Sequence, residues 1–252
     1  MPNKAFSLVE LSIVLVILGL LTGGILAGQS LIRAAEIRSV SADFNRYSAA
    51  SMAFRDKYMA LPGDMRNATS FWGTDSGGCP NGGGSTGTCN GNGDGLVDSV
   101  DSATTYSERF HFWKHLANAG LIEGNYTGVA GSGGIAHSVP GTNVPTSKIS
   151  NSGFSAGYMT THASYYLNFE TINLFYFGQM TATSHTQGSA LSTEEAWSVD
   201  TKLDDGKPAY GWVGSLNLTG NAGCASSDTD ASATYQLTRT GLSCQLLFKL
   251  GA

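Results

Sequence analysis

The run Phe6-Ser7-Leu8-Val9-Glu10-Leu11-Ser12-Ile13-Val14-Leu15-Val16-Ile17-Leu18-Gly19-Leu20-Leu21 decides the fold. Between Glu10 and Arg33 the chain has 22 residues without a charge. Coiled as a helix they extend roughly 33 Å, enough to cross the hydrocarbon core of a bilayer. Lys4 precedes the run and Arg33 follows it. A secretory signal peptide would have a shorter apolar region, a cleavage site near Ala27 and no carboxylate inside it. Glu10 is therefore the odd residue. A carboxylate at that depth is costly unless it is paired or close to the interface. No nearby side chain supplies a cation. A new α-amino group would supply one if the chain were cut just before Phe6.

The remainder of the 252 residues has a different character. Charged residues make up only 13%, the formal charge is −5, and there are 33 glycines. That balance argues against nucleic acid as the main partner, because phosphate binding needs clustered cations. With 41% hydrophobic residues, charge-driven disorder is excluded too. A mean hydropathy of −0.05 averages a bilayer-length apolar helix with a polar, glycine-rich remainder.

Beyond Arg33 the apolar residues fall at Ile37, Val40, Phe44, Tyr47, Phe54, Tyr58 and Leu61. Steps of three, four and seven place them on one helical stripe. Pro62-Gly63 ends the pattern. The spacing predicts one helix from about Phe6 to Leu61. Its first half is apolar all round, and its second half is amphipathic and packs on a C-terminal head.

Ten glycines and two cysteines crowd residues 73 to 95. The end of this stretch, Asn90-Gly91-Asn92-Gly93-Asp94-Gly95-Leu96-Val97-Asp98-Ser99-Val100-Asp101, fits a twelve-residue calcium loop. Oxygen-bearing side chains stand at Asn90, Asn92, Asp94, Asp98 and Asp101. Leu96 offers its carbonyl, Gly95 takes the sharp turn, and Val97 is the apolar residue after it. The pattern resembles the dockerin variety of EF-hand loop. Three carboxylates and two amides make a weak site, suited to structural Ca²⁺ at extracellular concentrations. A second acidic cluster, Asp200, Asp204 and Asp205, is a lesser metal candidate, because Lys202 and Lys207 lie within it.

Four cysteines allow three pairings. Proximity favours Cys79–Cys89 and Cys224–Cys244. No CxxC pair occurs, so a thiolate zinc site is not expected. Disulfides place the head in an oxidising compartment.

Residues Tyr106 to Leu121 read as a second helix, with Tyr106, Phe110, Trp113 and Ala117 on one face. Strand candidates are Ser164–Phe169, Leu174–Met180, Trp212–Leu218 and Thr234–Phe248. Residues 124 to 160, rich in Gly, Ser and Thr, read as an extended surface loop. His111 and His115 lie four apart, but Phe112 stands where a zinc protease carries Glu. They read as surface or partly packed residues. No nucleophile elbow or phosphate loop is present. An enzyme is not expected.

Lys4-Ala5, Phe6-Ser7-Leu8-Val9-Glu10 and the apolar run resemble the prepilin family, the type IV pilins and type II secretion pseudopilins. The resemblance implies an α+β fold: a long N-terminal helix, apolar in its first half, packed on an antiparallel β head. It implies cleavage by prepilin peptidase between Ala5 and Phe6, with N-methylation of Phe6. It also implies that Glu10 recruits the Phe6 amine of a neighbouring subunit. Ala5 stands where Gly is usual, and Ala27 where many pilins carry proline. Gly19, Gly23 and Gly24 are the places where such a helix would loosen. The implied layout is leader 1–5, membrane and filament-core helix 6–32, amphipathic continuation 33–61, glycine-rich loop 62–105 and head 106–252. A disulfide between Cys224 and Cys244 would close a C-terminal loop, as in many type IV pilins. The implied function is structural. The chain would be inserted in the inner membrane of a Gram-negative bacterium, handed to an assembly platform and polymerised with related subunits into a type IV pilus. A type II secretion pseudopilin is the alternative. A membrane-anchored binding module that never polymerises is a third reading.

Overall fold

The computed structural model describes residues 8–75, 87–98, 107–159, 172–216, 223–227 and 230–251. Helix α1 (Leu8–Tyr58) runs unbroken for 51 residues. Beyond it lie a short α2 (Thr69–Trp72) and α3 (Glu108–Asn118). Strands β1 (Ser152–Met159) and β2 (Ile172–Gln179), helix α4 (Thr193–Leu203), and strands β3 (Val213–Gly214) and β4 (Leu246–Lys249) complete the order. The four strands form an antiparallel sheet in the order β1-β2-β4-β3. The architecture is α+β and pilin-like: a long N-terminal apolar helix and a C-terminal antiparallel sheet.

The amphipathic half of α1 buries the stripe read from its spacing. Val40 and Phe54 are fully buried, Tyr47 nearly so, and Ile37, Phe44 and Tyr58 pack against the same core. Phe44 stacks on Phe248 of β4 at 4.6 Å between centroids. Tyr47 meets Trp113 of α3 edge-on at 5.0 Å, and Trp113 stacks on Phe175 of β2 at 5.2 Å. Large aromatic surfaces in offset and edge contacts dominate this core. The helix ends at Tyr58, and Met59 turns with φ +54°. Gly63 follows with φ +85°, and an added Cβ would strike the Glu108 carbonyl, so only glycine fits there.

Period-two alternation sorts the sheet. Phe154, Ala156, Phe175, Phe177, Leu246 and Phe248 face α1 and α3. Leu174, Tyr176 and Leu247 face the other way and are covered by Ala209, Leu216, Ala225 and Ala233.

Several expectations need correction. Residues 152–159, placed in a surface loop, form β1, and six of its eight residues are buried. Its sequence, SGFSAGYM, holds few residues of high strand propensity, so its pairing with β2 decides its state. Helix α4 was not anticipated, although Ser192 and Glu195 form a complete capping box at its start. The C-terminal strand is Leu246–Lys249, overlapping only the last residues of the longer Thr234–Phe248 stretch expected. Likewise the third strand is Val213–Gly214 alone within the described part of Trp212–Leu218. His111 and His115 are fully buried, not at the surface. The Ser164–Phe169 candidate lies outside the described residues.

Trp113→Ala should destabilise the head by about 3–5 kcal/mol. Thermal denaturation of the detergent-solubilised chain measures it. Leu20→Ala, on the exposed half of α1, should leave that transition where it is.

Candidate functional site

The first site is the helix surface that the head does not cover. From Leu8 to Ile32 the large apolar side chains of α1 stand exposed, and the most apolar 18-residue window has none of its residues buried. By length and composition this segment can cross a membrane. Glu10 sits in its first turn. Ala5 and Phe6 lie outside the described residues.

Where α1 reaches the head, Arg33 fixes it. Its Nε and Nη2 donate to the two carboxylate oxygens of Glu195 at 2.7 and 2.6 Å, and Nη2 also donates to the Ala190 carbonyl at 3.0 Å. The bidentate fork sets angle as well as distance. Glu195 is also the capping-box residue of α4, accepting from the Ser192 backbone N–H at 2.9 Å. Burial pushes the Glu195 carboxyl up, but the hydrogen bonds from Arg33 and Ser192 and the Arg33 charge outweigh it. The net direction is down.

The third feature is an acidic cluster at the far end of α1. One carboxylate oxygen each from Asp64, Asp94 and Glu108 lies within 4.8 Å of the others. Asp64 follows the Pro62-Gly63 turn, Asp94 lies in the glycine-rich loop, and Glu108 opens α3. The loop folds around Asp64. The Gly93 N–H donates to Asp64 Oδ1, as does the Asp94 N–H at 3.1 Å, and the Gly95 N–H donates to Oδ2 at 2.9 Å. At Gly91 a Cβ would collide with the Asp64 backbone, so the close approach requires glycine. Glu108, fully buried, accepts from the N–H groups of Asn92 at 2.8 Å and Asp98 at 3.2 Å.

The loop residues themselves make tight turns. Asn92 Oδ1 accepts from Asp94 N–H and Asp94 Oδ1 from Leu96 N–H, at 2.9 and 2.8 Å. Asn90 Oδ1 accepts from Thr69 N–H at 2.9 Å. Val97 is fully buried. Asp101 lies outside the described residues. Asp64 and Glu108 are far from the loop in sequence, and only the Pro62-Gly63 turn and the α3 cap bring them to it.

The electrostatics call for a positive partner. Burial pushes the Glu108 carboxyl up to about 8, despite the two N–H groups it accepts. Burial likewise raises Asp64 and Asp98, with Asp94 adding to both. Asp98 Oδ1 is buried and has no hydrogen-bond partner among the described residues. The converging carboxylates of Asp64, Asp94 and Glu108, with the charge of Asp98 acting beside them, fit a hard divalent cation.

The Asp200, Asp204 and Asp205 carboxylates also converge. Here too the oxygens accept from N–H and O–H donors, and Lys202 and Lys207 lie within the segment. Asp200 accepts from Tyr235 O–H at 2.8 Å and Gly206 N–H at 3.0 Å. Asp204 Oδ2 accepts from the N–H groups of Trp212 and Val213, and Asp205 Oδ1 from Lys207 N–H at 2.9 Å. They build the turn after α4.

Cys224 and Cys244 are disulfide-bonded. Leu191 exchanges backbone hydrogen bonds with Cys244 and ties this bridge to the start of α4. Cys89 is also disulfide-bonded, and Cys79 lies outside the described residues.

The prokaryotic N-terminal methylation motif matches residues 1–26. The chain carries a prepilin signal. This signal is shared by type IV pilins and pseudopilins, and it indicates a structural subunit. Together with the exposed apolar helix, the prepilin signal agrees with membrane anchoring. No curated protein and no solved structure matches the chain.

Among the described residues the head buries three histidines, and burial lowers His185 to about 3 and His111 to about 4. His115 is lowered well below its ordinary value for the same reason. Unfolded histidine binds a proton below about pH 6.5, and the folded state does not, so stability is lost as pH falls from there. Between pH 6.5 and 5, His185 alone should account for on the order of 2 kcal/mol. His185→Phe should flatten the acid side of a stability-versus-pH curve by that amount.

Proposed function

We propose that this chain is a type IV pilus subunit, clipped before Phe6 by prepilin peptidase and polymerised through α1. The observation that carries the reading is the divided helix. Its second half is saturated by the head, while Leu8–Ile32 offers apolar surface on every side next to a prepilin signal. Such a segment is at home first in lipid and then among copies of itself. Glu10 would neutralise the freed amine of the neighbouring Phe6 and so set the register. The inner-membrane assembly platform would draw the subunit into a filament outside the cell. The Cys224–Cys244 bridge, closing a C-terminal loop, supports the pilus over the secretion pseudopilus.

In this reading Ca²⁺ is a structural ion of the head. Asp64, Asp94, Asp98 and Glu108 would hold it, neutralising carboxylates that otherwise repel one another. Of the loop residues first singled out, Asp94 and Asp98 belong to this set, while Asn90 and Asn92 shape the loop.

Glu10→Ala should abolish filament incorporation while the protein still accumulates in the membrane fraction. Immunogold labelling of sheared filaments measures this, and normal filaments in the variant would remove the assembly role of Glu10. For calcium, a cation at a hundred times its Kd adds about 2.7 kcal/mol. The melting temperature of the detergent-solubilised chain should therefore fall on EGTA treatment and recover with Ca²⁺. Glu108→Gln and Asp94→Ala should blunt the response. An unchanged melting curve would eliminate the ion and leave the filament reading intact.

A further inference from the structure

We propose that Lys114 and Asp75 are the two ends of an intramolecular amide cross-link that the head forms on itself. Lys114 Nζ lies 2.6 Å from Asp75 Oδ2, and the two side chains are 1% and 0% exposed. A lysine ammonium and a carboxylate withdrawn this completely from water pay a large desolvation cost as an ion pair. Condensed to an amide, they carry no charge to desolvate.

Both ends are held by backbone. Lys114 lies in the middle of α3, and its Nζ also donates to the Thr127 carbonyl at 3.2 Å. Asp75 follows the Thr74–Thr88 bridge, and its N–H donates to the Thr88 carbonyl at 3.0 Å. Two reactants fixed at contact distance by separate elements have already lost the freedom that makes a bimolecular condensation slow.

A proton carrier stands beside them. His111 precedes Lys114 by one turn on the same face of α3. Its Nδ1 lies 3.2 Å from the Ser107 carbonyl, which selects the Nδ1–H tautomer and leaves Nε2 as the base. Nε2 and Lys114 Cδ flank the same point: a Cβ added at Gly128 would be 3.1 Å from one and 2.8 Å from the other. Burial keeps the ring neutral, and the charges of both Lys114 and Asp75 act on it.

The bookkeeping of atoms closes without a co-reactant. One proton passes from the Lys114 ammonium to the Asp75 carboxylate, giving a neutral amine and a carboxylic acid. The amine nitrogen attacks Asp75 Cγ, and a C–N bond forms. A second nitrogen proton moves to His111 Nε2 and from there to the departing hydroxyl. The C–O bond breaks and one water leaves. Nothing is oxidised or reduced, and His111 is returned neutral.

Intact mass spectrometry of the full chain, purified in detergent with its cysteines reduced, tests this directly. The cross-linked protein should be lighter than its sequence mass by one water, after allowance for cleavage and methylation at the N-terminus. Trypsin should fail to cut after Lys114, and one branched peptide should join the fragment containing Asp75 to that containing Lys114. Lys114→Arg and Asp75→Ala should each restore the missing water. A wild-type mass equal to the sequence mass, with normal cleavage after Lys114, would overturn the cross-link and leave a buried ion pair. In His111→Gln the cross-linked fraction should start low and rise on incubation. Full cross-linking of that variant in freshly made protein would overturn the role given to His111.

Discussion

One helix has to satisfy two environments in turn, and the rest of the structure follows from that demand. Up to Ile32, α1 carries no charge beyond Glu10, and its apolar side chains are exposed around the whole circumference. From Arg33 onward the same helix narrows its apolar surface to a stripe that the sheet and α3 cover. Without that change of character the head would have nothing to fold against, or the membrane segment nothing to insert. The changeover falls at Arg33, where the first cation after the apolar run is also the residue that grips the head. Because Glu195 both caps α4 and receives Arg33, the start of that helix and its docking on α1 form a single constraint. A rotation of the head about the helix would break both.

The far end of α1 is organised by different means. There the chain turns at Pro62-Gly63, and Asp64 gathers three consecutive N–H groups of the glycine-rich loop. Some of the loop glycines that look like linker composition, Gly87 and Gly91 among the described residues, are required by close approach. Both lie where any side chain would strike backbone. The same folding brings carboxylates from three separate segments together and, among the described residues, leaves Asp98 Oδ1 without a donor. Repulsion among these groups opposes folding until a cation, or protons, neutralise them.

Much of this was legible in the sequence. The uncharged run, the odd Glu10 and the stripe from Ile37 to Tyr58 specify α1, because a helix of that length displays its period many times over. Trp113 and Phe110 mark α3 in the same way. The strands were less legible. β1 is mostly Ser, Gly and Ala with few large residues, and its state is decided by pairing with β2 rather than by its own composition. α4 was legible and overlooked: Ser192 and Glu195 spell a capping box. The acidic site was half legible. The loop advertised Asp94 and Asp98 by its spacing, but Asp64 and Glu108 belong to other segments, and no local pattern announces such a meeting. The buried states of His111 and His115 are a tertiary outcome of the same kind, since a helical histidine carries no mark of which face will be covered.

The stacking of Phe44 on Phe248 has a consequence for biogenesis. The contact joins the first third of the chain to its last strand, and β4 lies between β2 and β3 in the sheet. Native contacts this remote in sequence form late, because a long loop must close before they repay its entropy. Helix α1 is synthesised long before β4 has been translated. Until then the aromatic stripe of α1 has no sheet to cover it. The head therefore closes only once translation is nearly complete, and in that interval its unpaired segments are most open to proteolysis.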